Sequence, residues 1–148
     1  MSDHPIPETN VIRRIIYANY ERQLNCTYRK RLAREGYSPR AVFWRSKSSQ
    51  FARFDSLLSL VHKLKPRTIV SVADIGCGYG AMFDFISSSP KFNCFDYHGV
   101  DINQAMIEAC QQKHPDQIGL FSVGNKPQKE VDFCLFSGTF NLTHSSDT

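Results

Sequence analysis

Val72-Ala73-Asp74-Ile75-Gly76-Cys77-Gly78-Tyr79-Gly80 decides how this chain is read, because an apolar run ends on a carboxylate and then breaks into three glycines at alternate positions. Glycines tolerate positive φ and let the backbone approach a ligand where a Cβ would collide. Ala81-Met82-Phe83-Asp84-Phe85-Ile86 follows with helical character. The spacing predicts a strand, a ligand-cradling turn, and a helix whose unpaired N–H groups suit an anionic group. No lysine follows Gly80, which removes the nucleoside triphosphate loop from consideration. The dinucleotide fingerprint fits no better. The third glycine comes one residue early, and Asp74, two residues before the first, would repel a pyrophosphate. An ionised carboxylate there instead suits a ligand that carries an ammonium and a sulfonium.

A second constellation lies downstream. Tyr97-His98-Gly99-Val100-Asp101-Ile102 reads as a strand ending on an acid, 21 residues beyond Gly80 (101 minus 80), the length of a βαβ step. An acid at that strand tip can accept both hydroxyls of a ribose, with Ile102 against an adenine face. Asn103 is placed to cap the next helix, and Ala105-Met106-Ile107-Glu108-Ala109-Cys110 supplies helix formers with an apolar side.

On these residues, from about 68 to 141 and with the helix before them, the chain resembles the class I S-adenosylmethionine-dependent methyltransferases. The resemblance implies an α/β, Rossmann-like sheet of strand order 3-2-1-4 preceded by N-terminal helices, with S-adenosylmethionine bound beyond the carboxyl ends of the strands. It places Asp74, Gly76 and Gly78 against the methionine part of the cofactor, Asp101 on the ribose and Ile102 on the adenine. Leu120-Phe121-Ser122-Val123-Gly124-Asn125 takes the place of strand three, with Asn125 near the adenine amino group. Val131-Asp132-Phe133-Cys134-Leu135-Phe136-Ser137-Gly138 takes that of strand four, with Ser137 and Gly138 under the methionine arm. Phe140 and Asn141 fall where such enzymes place acceptor-side residues. The resemblance names no general base, so the catalytic residues stay unknown. Ser137-Gly138-Thr139-Phe140-Asn141 is not the Asn/Asp-Pro-Pro-Tyr/Phe motif of amino-directed nucleic-acid enzymes, and a DNA adenine acceptor is disfavoured.

Plainer roles compete for each residue. Asp74 could accept from backbone amides of its own turn, and Asp101 could simply cap the following helix. Cys77 has no His-Asp pair spaced around it and reads as a small buried side chain rather than a nucleophile. The five histidines stand singly, and the five cysteines contain no Cys-x-x-Cys pair, so no metal site is expected. An odd, scattered cysteine set points to free thiols in a reducing, cytoplasmic setting. Met1–Pro7 has neither the basic start nor the apolar core of a signal peptide, and no run reaches the length of a membrane span.

The chain has 148 residues and a net charge of +4, but the charge is divided. Residues 1–67 hold 14 Lys and Arg against 5 Asp and Glu (+9), and residues 68–148 hold 4 against 9 (−5). The basic part could attract a phosphate-bearing acceptor such as RNA, although a solvated helix face is the favoured explanation and no RNA-binding signature accompanies it. Val11, Ile12, Ile15, Ile16, Tyr20 and Leu24 recur at helical spacing up to a break at Gly36-Tyr37-Ser38-Pro39. A second helix is expected from Lys47 to Leu64, with Phe51, Phe54, Leu58, Val61 and Leu64 on one face and Pro66 stopping it. Gln50 and Arg53 on that helix could reach a cofactor carboxylate, and Trp44 with Phe43 and Tyr37 could wall an acceptor pocket.

Two units are thus expected: a basic helical segment, residues 1–66, packed on a partial cofactor-binding domain, residues 67–148. The sequence ends soon after strand four, where such sheets continue. The expectation is therefore a truncated product or half of a split enzyme, inactive alone and self-associating through the strand-four edge. Three functions stand side by side: a methyltransferase acting on a small-molecule acceptor, a non-catalytic cofactor-binding fragment, and, disfavoured by the loop spacing, an NAD(P)-dependent oxidoreductase.

Overall fold

A computed structural model describes residues 8–66 and 68–138. Two helices lead into the sheet, α1 (Glu8–Glu35) and α2 (Lys47–Leu64). α1 ends where the glycine break predicts: Gly36 adopts φ 63° and its N–H returns to the Leu32 carbonyl at 2.9 Å. A single 3₁₀ turn, Pro39–Val42, connects to α2. Ser46 caps α2 by accepting the Ser49 N–H at 3.2 Å, and the helix buries Phe54, Leu58 and Val61, spaced three and four apart as the periodicity requires.

The remainder alternates strand and helix: β1 (Val70–Ile75), α3 (Ala81–Ser87), β2 (Phe95–Asp101), α4 (Gln104–Lys113), β3 (Phe121–Val123) and β4 (Phe133–Leu135). All pairings are parallel and the order is β3-β2-β1-β4, the order the sequence implies. Register sets Asp74 opposite Gly99 and Ile75 opposite Val100, so the two acidic strand tips finish side by side. Val70 and Val72 of β1, Tyr97 of β2 and Phe121 of β3 join one core with Phe54 and Leu58 of α2, Met82 and Ile86 of α3, and Met106 and Ile107 of α4. Leu58, Met82, Met106 and Ile107 are fully buried, and each such side chain contributes about 1.5–3 kcal/mol. The other sheet face carries a smaller cluster of Ala73, Ile75 and Val100, with Val131 against it.

Two expectations change. Strand four is three residues long, where the sequence suggests a run from Val131 to Gly138. It is held at its start by Asp132, whose carboxylate accepts the Ser71 N–H (2.9 Å) and hydroxyl (3.1 Å) and pairs with Lys65 at 2.5 Å. Within α1, the apolar residues do not form one buried face. Residues 11–19 are all exposed, and Val11, Ile12, Ile15 and Ile16 retain 50–60% of their surface. At about 100° per residue they lie roughly opposite Leu24, Tyr28 and Leu32, the side chains that turn toward the core. The helix carries two apolar stripes on opposite sides, and among the described residues the second is the one packed toward the core. No helix among the described residues is long and apolar enough to cross a membrane.

Lys65 and the two Ser71 donors hold the Asp132 carboxyl at about 2, below the usual carboxylate range. This contribution is present above the unfolded value near 4 and is lost as pH falls through about 2. Asp132→Ala is expected to lower the melting temperature at neutral pH. Hydrogen exchange should rise first in β4, and equal protection of β4 in the two proteins would count against the clamp.

Candidate functional site

The carboxyl ends of β1, β2 and the segment after β4 open into a cleft of about 90 Å³ that is partly open to solvent. Asp74, Gly76, Gly78, Asp101, Ile102, Ser137 and Gly138 line it together. Asn125 does not. β3 stops at Val123, and Asn125 lies on the exposed turn beyond, outside the lining. Phe140 and Asn141 lie outside the described residues.

The glycine turn differs from the anion cradle that its sequence suggests, because four N–H groups of residues 76–80 are already used. Gly76 and Cys77 both donate to the Val100 carbonyl (2.7 and 3.1 Å), Gly78 donates to Asp101 Oδ2 (2.9 Å), and Gly80 donates to the Cys77 carbonyl (3.1 Å). The turn is therefore a tie between β1 and β2 rather than a row of free donors. Gly78 adopts φ +56°, and a Cβ there would stand 3.0 Å from Val42 Cγ1, so glycine is required both by the backbone and by the residue packed over the turn.

Asp101 supports the same tie from the other side, its Oδ1 accepting the Asn103 N–H at 2.8 Å. Asn103 caps α4 by accepting the N–H groups of Ala105 (2.9 Å) and Met106 (3.2 Å) on its own Oδ1. Asp101 thus does not cap the helix itself. Each of its oxygens keeps a lone pair beyond the one backbone bond. Burial raises its pKa, and the two backbone donors oppose that.

Asp74 is the unusual group. It is 1% exposed, its Oδ2 accepts the Tyr97 hydroxyl at 2.8 Å, and its Oδ1 has no partner. Burial pushes its pKa up to about 7; the Tyr97 hydrogen bond opposes this and the Asp101 charge adds to it. The Cys110 thiol beside Cys77, together with burial, holds the Cys77 thiol well above its usual range, which leaves it unsuited to nucleophilic attack. Among the described residues, no group of three or more His, Cys, Asp or Glu could hold a metal ion.

Over the cleft stand Leu24 and Tyr28 of α1, Val42, and Trp44, while Gln50 and Phe54 of α2 close one side. Trp44 lines the cleft; Phe43 and Tyr37 do not, the first packing edge-on against Tyr28 and the second bonding Gln112 Oε1 at 3.2 Å. Gln50 is buried and accepts the Tyr79 hydroxyl at 3.3 Å, whereas Arg53 is exposed and away from the lining. Leu24, Tyr28, Val42, Met106 and Tyr97 are site residues that the sequence reading does not single out. Leu24, Tyr28 and Leu32 do carry a signal, an i, i+4, i+8 stripe, but it cannot say what the stripe covers.

The sequence pattern of a family described as a methyltransferase domain matches residues 73–147, just over half of the chain. A protein of Mycobacterium tuberculosis (strain ATCC 25618 / H37Rv) named "Putative methyltransferase Rv1506c" is 32% identical over 73 residues, which cover 49% of this chain and 43% of that protein. Similar folds include the crystal structure of the plantazolicin methyltransferase BpumL in complex with a pentazolic desmethylPZN analog and SAH. It has a TM-score of 0.46 and 22% identity, over 80% of this chain and 49% of that one. Coclaurine N-methyltransferase bound to N-methylheliamine and SAH gives a TM-score of 0.37 and 13% identity, over 78% of this chain and 49% of that one. The chain thus spans less than half the length of the curated relative and about half of each solved structure.

A carboxyl whose pKa is raised on folding stabilises the folded state below its unfolded value near 4, and that contribution is lost as pH rises through about 7. Melting temperature in the absence of ligand should therefore fall between about pH 5 and pH 8. Asp74→Asn should flatten that slope and be the more stable protein at pH 8; an unchanged slope in the variant would reject this assignment.

Proposed function

Because this chain belongs to the methyltransferase domain family, we propose that its cleft binds S-adenosylmethionine and that the protein transfers the cofactor's methyl group to a small-molecule acceptor. The charge of the cleft carries this reading. Its lining contains the carboxylates Asp74 and Asp101 and, among the described residues, no lysine, arginine or histidine. A dinucleotide would bring a pyrophosphate to a lining with two carboxylates and no cation, where four of the turn's N–H groups already have partners. S-adenosylmethionine brings an ammonium and a sulfonium, and the unpartnered, buried Asp74 Oδ1 is an acceptor awaiting a donor.

The residues fit that cofactor along the length of the cleft. Asp74 holds the ammonium end and is ionised by its arrival. Asp101, with one lone pair free on each oxygen, accepts ribose hydroxyls while its other lone pairs keep the turn in place. Ile102 and Met106 offer apolar surface to the adenine. Gln50 spends Oε1 on Tyr79, which leaves its amide N–H₂ for a ligand carboxylate. When bound, S-adenosylmethionine supplies a methyl group already activated on sulfur. What the chain must add is alignment and exclusion of water, the roles of Leu24, Tyr28, Val42 and Trp44 over the cleft. An apolar and aromatic roof without cations favours a small acceptor over a phosphate-rich polymer such as RNA.

A second reading, a cofactor-binding chain completed by another polypeptide, is favoured by the far edge of β4. This strand pairs only with β1 among the described residues, with Cys134 exposed on it and Phe136 43% exposed just beyond. Self-association through that edge is expected in sedimentation, and a monodisperse monomer would end that reading.

Calorimetry tests the main proposal. S-adenosylmethionine and S-adenosylhomocysteine should bind saturably and NAD should not, with Asp101→Ala weakening binding at least about ten-fold, or about 1.4 kcal/mol. Near pH 6.5, binding should release a proton from Asp74, visible as a dependence of the measured heat on buffer ionisation enthalpy and absent in Asp74→Asn. Equal affinity for NAD, or no saturable binding by the folded chain, would overturn the assignment.

A further inference from the structure

We propose that Tyr97 is the positioning residue of the ammonium site: passing through the space that Gly99 leaves empty, its hydroxyl holds one oxygen of Asp74 and so leaves the other to take the ligand's ammonium. The inference rests on reading the cleft as the adenosylmethionine site. It goes further by giving a role to a β2 residue that stands behind the cleft rather than in its lining.

The strand register brings the pair together. Val72 stands opposite Tyr97 and Asp74 opposite Gly99, so all four side-chain positions share one face of the sheet. Tyr97 can meet Asp74 only by reaching forward along β2 and across to β1, and the position it passes is 99. A Cβ there would stand 3.0 Å from the Tyr97 hydroxyl oxygen, 3.0 Å from Cys77 Sγ and 2.9 Å from Phe121 Cδ1. Gly99 has no positive φ, so it is space and not backbone strain that asks for glycine. Phe83 and Phe121 flank the Tyr97 ring, with 5.3 and 6.2 Å between ring centres, and Tyr97 is buried. Packing that forms with the fold therefore delivers the hydroxyl to Asp74 Oδ2, at 2.8 Å, before any ligand arrives.

The consequence lies in where an Asp74 proton can sit. The Tyr97 phenol is held well above its usual range, chiefly by burial, so it stays a neutral donor. With Oδ2 accepting from it, a proton on Asp74 resides on Oδ1, the oxygen without a partner. The acid form thus presents a donor, which an ammonium cannot use, and the ionised form presents an acceptor. Burial and the Asp101 charge disfavour the ionised form, and the Tyr97 hydrogen bond favours it. The other titratable groups close by, Cys77 in the turn and Cys110 on α4, are thiols with no positive charge to assist.

Tyr97→Phe keeps the ring between Phe83 and Phe121 and removes the hydroxyl alone. In the ligand-free protein, the carboxyl carbon resonance of Asp74, identified by its absence in Asp74→Asn, should titrate at about 7 in wild type and at about 8 or above in the variant. With S-adenosylhomocysteine as the probe, the variant should bind about ten-fold more weakly than wild type at pH 6 and within about two-fold of it at pH 9. Gly99→Ala crowds the hydroxyl and should move the titration the same way, and adding it to Tyr97→Phe should move it no further. An Asp74 titration unchanged in Tyr97→Phe overturns the proposal. So does a loss of affinity equal at every pH, the signature of damaged packing. A further shift in the double variant overturns the part given to Gly99. The predicted titration shift in folded chains that bind no adenosylhomocysteine at any pH overturns the cofactor reading and leaves the hold of Tyr97 on Asp74 standing.

Discussion

The Asp101 carboxylate, shared between the backbone N–H groups of Gly78 and Asn103, is the constraint on which the rest of the site depends. One oxygen fixes the glycine turn after β1 and the other fixes the start of α4 after β2. Two loops that have no covalent connection nearer than the whole of α3 and β2 are thereby held as one surface. Hydrogen bonds to an ionised acceptor are about twice as strong as neutral ones, which suits a single side chain to that task. Gly76 and Cys77 on the Val100 carbonyl complete the tie.

The arrangement places a second carboxylate, Asp74, behind the first and deprives it of water. The protein answers with one neutral donor, the Tyr97 hydroxyl, itself buried and held well above the usual phenol range chiefly by that burial. One donor does not satisfy an ionised carboxylate, so burial pushes the Asp74 pKa up to about 7 and leaves a substantial share of it protonated near neutral pH. The site is accordingly built for a cation in a way that the turn alone does not announce. A ligand that brings positive charge or a donor to the open Asp74 oxygen completes it.

α1 extends this logic outward. Its lower half contributes a half-buried stripe to the roof, and its upper half presents Val11, Ile12, Ile15 and Ile16 on roughly the opposite side, with nothing packed on them among the described residues. The two stripes cancel along the helix, which is why the periodicity of α1 reads as one continuous amphipathic helix only when its halves are not compared. A helix whose apolar contacts are divided in this way leans on its polar links, among them the Asn103 Nδ2 bond to the Asn25 carbonyl, next to Asp101.

The sequence by itself determined the elements and their order. Alternating apolar runs, the Asp-x-Gly-x-Gly-x-Gly turn, the acid closing β2, the Asn103 cap and the Lys47–Leu64 stripe are local patterns, and local backbone chemistry is enough to realise them. It also named seven of the residues that meet in the cleft, because strand tips in a parallel sheet necessarily converge at one edge. Asn125 stands on the exposed turn beyond β3 and outside the lining, since the spacing of a motif does not fix where a three-residue strand stops. Three matters were decided only by tertiary structure: that four of the turn's N–H groups are consumed rather than free, that Asp74 is left with an unpaired oxygen, and which side of α1 faces the sheet. Each depends on partners 20 to 80 residues away, such as Asp101 for Gly78, Tyr97 for Asp74 and Asn103 for Asn25. Such pairings arise from how elements pack, and no local pattern encodes them.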